Sequence, residues 1–289
     1  MRNTVIIDGS LGDTICALPI AEQIKKHQAD VSLLFKCRPE YEEIAYFNPH
    51  IDVINAPPAP DDRVFQLRWA AAPRECTCHV VDWYAKLAQL SFVENRLPTI
   101  YKPDNIELEW PFQDGDIVVA VDTRAGWPTR RWAHERFEEL ARRLKKELGA
   151  IIVEVGKTTP DCLGRTQAES LSEADVSLVD RLTIRQTACA LSRSSYFLGN
   201  DSGLAHLAAA VRTKAFVIFG PVSHTTRAHG ARVPPPGCAT CMPGSGRTWQ
   251  RAAAQTVGGV SARPGGWIEG AALGENRQIH RQRWGSTTS

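Results

Sequence analysis

No stretch of this 289-residue chain is apolar over the length that crossing a bilayer requires. The first residues, Met1-Arg2-Asn3-Thr4-Val5-Ile6-Ile7-Asp8, pass straight into a strand pattern with no apolar signal region, which sets the expectation of a cytoplasmic protein. Neither sign of charge dominates. A net charge of +2 lacks the basic footprint of a dedicated nucleic-acid binder, and no nucleic-acid partner is expected. The dinucleotide fingerprint G-x-G-x-x-G is also missing. The first strand, residues 4–8, runs into Gly9-Ser10-Leu11-Gly12-Asp13, a G-x-x-G-D sequence that disfavours an oxidoreductase.

Paired zinc knuckles are lacking too. Eight cysteines are scattered along the chain and, with no export signal, read as reduced thiols, several of them core residues. Cys76, Cys78 and His79 could join Cys238 and Cys241 as zinc ligands. Neither group makes a knuckle alone, so chance or packing cysteines are the preferred reading. Asp114-Gly115-Asp116 spells a D-x-D, but it precedes a strand and falls at the edge away from the crevice where open α/β sheets bind ligands. Neither metal nor cofactor is therefore expected.

What remains is a chain of ordinary soluble composition, 43% hydrophobic and 23% charged, long enough for two α/β domains. The most informative stretch is 199–221, G-N-D-S-G-L-A-H-L-A-A-A-V-R-T-K-A-F-V-I-F-G-P. A buried strand at 195–198 precedes it, and Asp201 or Ser202 offers a helix N-cap. Leu204, Leu207, Ala208 and Val211 then fall on one helical face, and 215–219 reads as a second buried strand. The unit is a parallel crossover whose turn places free N–H groups and a helix dipole where an anion such as a phosphate binds.

D-S-G-L-A-H-L-A-A-A followed by F-G-P closely resembles the nucleotide-sugar signature of the heptosyltransferases, glycosyltransferase family 9. The N-terminal stretch is similar to the same family: strand, then Ser10, Gly12-Asp13, Thr14 and Pro19. The resemblance implies an α/β GT-B fold, two Rossmann-like domains facing across a cleft. It implies Asp13 as the general base that takes the acceptor hydroxyl proton, with Ser10 and Gly12 in the acceptor-side loop. Asp13 stands at the carboxyl end of the first strand, facing the crevice; capping of the next helix is the competing explanation.

Strands at 31–36 and 51–55, with a helix at 38–46 between them, continue the first domain. Asp61 and Asp62 read as solvated loop charge, 79–82 as a strand and 83–92 as a helix. The proline-rich segment 98–115 reads as the interdomain connection. The domains are expected at 1–110 and 111–237, the second carrying the donor.

In that second domain 117–121 reads as a strand and 134–148 as an amphipathic helix with Glu138–Arg142 and Glu139–Arg143 pairs outside. A further strand is expected at 150–155. The loop from Thr123 to Trp132 resembles the family's K-x-W-P element, with Arg130 at the lysine's position. The resemblance thus implies a nucleotide-sugar donor held by Thr123, Arg130, Asp201, Ser202, Gly203, His206, Gly220 and Pro221. The family's ribose-binding glutamate has no clear counterpart near Pro160-Asp161-Cys162. Residues 238–289 are rich in glycine and arginine and are expected to be a disordered tail, whose basic character would suit peripheral membrane contact.

The implied activity is inverting, metal-independent transfer of a sugar, heptose from ADP-heptose, to a lipid-linked or oligosaccharide acceptor of the lipopolysaccharide-core type. A non-catalytic nucleotide-binding remnant and a GT-B sugar-nucleotide epimerase are the alternatives; the Asp13 motif argues against the epimerase.

Overall fold

The computed structural model describes residues 2–72, 77–166 and 169–229. Cys76, Cys238, Cys241 and the expected tail lie outside these residues. Within them the chain forms two parallel sheets. The first has β1 (Asn3–Ile7), β2 (Leu33–Lys36), β3 (Val53–Ile54) and β4 (Arg63–Leu67) in the order β3-β2-β1-β4. The second has β5 (Val118–Asp122), β6 (Ile151–Glu154), β7 (Val176–Ser177), β8 (Tyr196–Asn200) and β9 (Lys214–Ile218) in the order β7-β6-β5-β8-β9. Every pairing is parallel, so each strand needs a crossover, and helices supply most of them.

Those helices are α1 (Leu11–His27) and α2 (Val80–Leu87) in the first half, then α3 (His134–Leu148), α4 (Ile184–Arg193) and α5 (Gly203–Ala210) in the second. α3 has a narrow buried stripe centred on Phe137 and Ala141, and ends at Gly149 in the left-handed conformation that closes a helix. α1 differs: Ile15, Cys16, Ala17, Leu18, Pro19, Ile20 and Ala21 are all buried in succession. A helix buried on every side has partners on every side. α1 packs on its own sheet and on α2, and its other face meets α5 of the second domain.

That contact is close because two glycines allow it. A Cβ on Gly203 would stand 2.9 Å from Leu11 Cβ, and one on Gly12 would stand 2.8 Å from His206 Cδ2. One continuous cluster, running from Val5, Ile15 and Tyr84 to Leu204, Leu207 and Phe197, therefore joins the two halves. A second seam lies alongside. Arg185 of α4 donates to the backbone carbonyls of Glu43, Tyr101 and Lys102, and its guanidinium lies 4.6 Å from the Phe47 ring centroid. The segment between β4 and β5 is irregular beyond α2, as its prolines predict, and Ile100 N–H donates to the Ala210 carbonyl.

Several local expectations change. Residues 79–82 are not a strand: His79 is the N-cap of α2, its Nδ1 accepting the Val81 N–H at 3.2 Å. The helix expected at 38–46 is a 3-10 helix, Pro39–Ala45, whose two acidic neighbours Glu42 and Glu43 turn to Asn55 and Arg185. Asp62 is not solvated; its side chain is 2% exposed and accepts from Arg2, Thr4 and the Ala59 N–H. Arg2 and these donors hold its carboxyl down at about 2. On α3 Arg142 pairs with Glu139 and Glu173 and Arg143 with Glu147, while Glu138 accepts the backbone N–H groups of Ser172 and Glu173 and lies 3.3 Å from His134 Nε2.

β9 is the other correction. Expected to be buried, it is the last strand of its sheet among the described residues, and Lys214, Ala215 and Phe216 are exposed.

Gly203→Val inserts a side chain where Leu11 already packs. It is expected to lower the melting temperature, overpacking costing about 1–3 kcal/mol. Leu11→Ala in the same chain should recover part of that loss, and strictly additive effects in the thermal melts would contradict the contact.

Candidate active site

The segments that follow β1, β5 and β8 come together between the domains, and the crevice they bound lies at the carboxyl ends of the strands, where open α/β sheets bind ligands. From the first domain it receives Asp13. The Ser10 main-chain N–H and hydroxyl both donate to Asp13 Oδ2, at 2.9 and 2.8 Å. Tyr84 Oη donates to Asp13 Oδ1 at 3.2 Å, and Arg227 Nη1 stands 3.6 Å from the same oxygen. Capping and site placement therefore coincide in one carboxylate at the third position of α1, 19% exposed. Ser10 is exposed beside it, and Gly12 is spent on the approach of His206.

The second domain brings Asp201 and Arg130. Asp201 Oδ2 lies 3.3 Å from Arg130 Nη1, and the Asp201 side chain is 3% exposed. Burial raises the Asp201 carboxyl above its ordinary range, while Arg130 and Arg227 pull it back and Asp13 adds to the rise. The Asp201 carboxylate is thus placed to orient the Arg130 guanidinium. Ser202 is the N-cap residue of α5, but its hydroxyl turns to Asp122 Oδ2 at 3.2 Å. Asp122 ends β5, and burial pushes its carboxyl up to about 6 against the Arg124 N–H and guanidinium.

Thr123 is buried, and its carbonyl accepts from Asn200 Nδ2 at 2.8 Å; Asn200 Oδ1 in turn accepts the Trp132 N–H at 2.9 Å. Asn200 thus ties the loop carrying Arg130 to the end of β8. Gly203 packs on Leu11, and Gly220-Pro221 follow β9. His206 is 6% exposed, its Nδ1 lying 3.5 Å from Cys16 Sγ and 3.0 Å from His229 Nε2. Burial, with Arg227, His79 and Arg130, holds its imidazolium down at about 3, and burial pushes the Cys16 thiol far above its usual range.

Three residues near the crevice have no counterpart in the sequence expectations. Arg227 lies between Asp13 and Asp201, 9% exposed, its guanidinium 4.5 Å from the Trp69 ring centroid. Its one sequence signal is position, a basic residue just beyond the strand that ends the phosphate-type crossover. Tyr84 and Asp122 carry no such signal, since helix packing and strand pairing bring them in. The D-x-D stays outside: Asp116 accepts the Gln113 N–H in an exposed turn before β5. Asp161, where a ribose carboxylate was sought, is occupied by Arg131 at 2.6 Å and Arg165 at 3.2 Å. Its carboxyl is raised by burial but brought to about 2 by the Arg165 and Leu163 N–H groups and these guanidiniums.

Residues 68–233 match glycosyltransferase family 9 (heptosyltransferase). The chain belongs to glycosyltransferase family 9. Over 100 residues this family 9 chain is 28% identical to lipooligosaccharide heptosyltransferase 2 of Haemophilus influenzae, covering 33% of the chain and 29% of that relative. In structure it is similar to a family 9 glycosyl transferase from Veillonella parvula, with TM-score 0.61, 17% identity and coverage of 78% of this chain and 82% of that one. It is also similar to TibC, a bacterial iron-containing dodecameric glycosyltransferase from enterotoxigenic Escherichia coli, with TM-score 0.61, 16% identity and coverage of 79% and 63%. The family 9 fold is the GT-B pair of Rossmann-like domains, as the two parallel sheets and their crevice have it.

The Arg130–Asp201 pair gives a pH-dependent test. Burial raises the folded-state value of Asp201, so the folded chain binds a proton the unfolded chain releases, and stability falls as pH rises between the two values. Arg130→Gln raises the folded value further and widens that window. The variant should lose about 1–3 kcal/mol at neutral pH and less in mild acid, with Asp201→Asn in the same chain removing the difference. Equal losses at both pH values in chemical denaturation would show that the pair does not hold.

Proposed function

We propose that this glycosyltransferase transfers heptose from ADP-heptose to a hydroxyl of a lipopolysaccharide-core-type acceptor, inverting the anomeric centre in a single displacement. The observation that carries this reading is Asp13, set across the crevice from Arg130, Asp201 and the start of α5, with Arg227 between. The acceptor oxygen attacks the anomeric carbon as the bond from that carbon to the phosphate oxygen breaks. Asp13 takes the hydroxyl proton, and the nucleoside diphosphate leaves with the bonding electrons.

Negative charge grows on the leaving oxygen, and Arg130, Arg227 and the helix start are the groups placed to meet it. The single 3.3 Å contact to Asp201 uses little of the Arg130 donor fork, which is suited to two-point contact with phosphate. In this reading arginine does the work a divalent cation does elsewhere, and the transfer step is metal-independent. Thr123, Ser202, Gly203, Gly220 and Pro221 would shape the donor side, with His206 buttressing it from behind α5. A lipid-linked acceptor would place the enzyme at the inner face of a membrane, as a cytoplasmic peripheral protein; no helix among the described residues is long and apolar enough to cross one.

Asp13→Asn retains the size and the acceptor for the Ser10 N–H but removes the basic oxygen. Turnover of ADP-heptose with acceptor should fall by about 10²–10⁴-fold while nucleotide affinity stays nearly unchanged. Full turnover in the variant, or loss of nucleotide binding alone, would sink the assignment. Turnover should also be indifferent to added Mg²⁺ or Mn²⁺, and a rate that rises with either ion would reject the metal-independent step. Nucleotide binding without turnover in the unaltered chain would identify a non-catalytic binding protein instead.

A further inference from the structure

We propose that Cys16, His206 and His229 form a binding site for a divalent transition metal of the zinc type, a clasp between the two domains. The three residues come from three separate places: α1 of the first domain, α5 of the second, and the loop that follows β9. Their ligand atoms form a triangle. Cys16 Sγ is 3.5 Å from His206 Nδ1 and 3.5 Å from His229 Nε2, and the two nitrogens are 3.0 Å apart. A tetrahedral centre with zinc-type bond lengths gives sulfur–nitrogen edges of about 3.5 Å and nitrogen–nitrogen edges of about 3.3 Å. The sulfur edges already have that size, and the nitrogen edge needs to open only slightly.

The three ligand atoms face one point, and with a metal bound the ring proton of His229 would sit on Nδ1, leaving Nε2 toward the ion. Cys16 is fully buried and His206 is 6% exposed, so neither is satisfied by bulk water. One thiol and two imidazoles converging within one site are a donor set of the zinc type. On metal binding the Cys16 S–H bond breaks, the proton leaves to solvent, and the thiolate binds the ion. Asp13 and Asp201 lie near enough to offset the added charge against Arg227.

His79 is adjacent, its ring centroid 5.1 Å from that of His229, but its Nδ1 is occupied by the Val81 N–H and it does not belong to the group of converging ligand atoms. It is a positioning residue for the loop of His229, and the fourth coordination place is left to a small exchangeable ligand. Two nitrogens and one sulfur suit zinc first, with iron(II) and cobalt(II) close behind. The clasp would fix α1 against α5 and hold the loop that carries Arg227, two residues before His229, over the crevice. The site is separate from the transfer chemistry, and its test does not depend on activity.

The full chain, purified without chelator, should contain about one equivalent of zinc or iron by elemental analysis, as expected for a structural site. Cobalt(II) loaded in its place should give a sulfur-to-cobalt charge-transfer band. Cys16→Ala and His229→Ala should each abolish that band and reduce the retained metal at least about tenfold, whereas Cys37→Ala, a buried thiol elsewhere, should not. His229 is only partly buried, so its variant tests the site even if Cys16→Ala fails to fold. Metal retained equally in both variants would place it on other cysteines and overturn the proposal. So would a chain that holds no metal and whose melting temperature ignores added Zn²⁺ or Fe²⁺.

Discussion

The arrangement of the crevice depends on how closely two helix starts approach one another. α1 and α5 meet at Leu11, Gly12, Gly203 and His206, and Cβ atoms at either glycine would collide with the opposing residue. Asp13 sits in the first turn of α1, while Asp201 and Ser202 immediately precede α5. The spacing of the helices therefore sets the spacing of the groups that face each other across the cleft. It also explains why α1 is buried on nearly all sides, with domain-facing residues where a surface helix would be polar.

Around that contact, several buried charges stand in pairs. Arg130 meets Asp201, Arg131 meets Asp161, and Arg124 meets Glu154 at 3.1 Å with both side chains nearly inaccessible. Burying any one of these ions alone would cost several kcal/mol, about what breaking a buried pair costs. Pairing removes most of that penalty and fixes each guanidinium in direction, and it is direction that a site for a planar, multiply charged phosphate group needs. The loops between strand ends and helices are organised in the same way, by buried side chains such as Asn200 that bridge one loop to the next.

Arg227 joins the two themes. It stacks on Trp69 of the first domain, approaches Asp13, and acts on Asp201 of the second domain. Its loop continues to His229, which reaches Cys16 on α1 and His206 on α5. The segment after β9 thus closes over the seam between domains from the outside.

The sequence by itself determined the class of fold, the family, and the stretches that form the crevice. Alternating strands and helices with helical periodicity near 3.6 identified α3 at its observed bounds, and the 199–221 pattern marked β8, α5 and β9 because short-range spacing encodes them. Asp13 and Asp201 were legible as candidates because each stands at a helix start just after a strand end, which local order gives, and Arg130 because it stands where the resemblance puts the family's lysine. Tertiary structure decided everything that depends on residues distant in sequence. It turned Asp62 inward to Arg2, made His79 a cap, left the first residues of β9 exposed, and gave Asp201 to Arg130. It brought Tyr84 and Arg227 to Asp13 and assembled Cys16, His206 and His229 across 213 residues of chain separation. The reason is physical: burial and ion pairing are set by which surfaces meet in space, and no local pattern of polar and apolar residues records which distant partner will fill the other side.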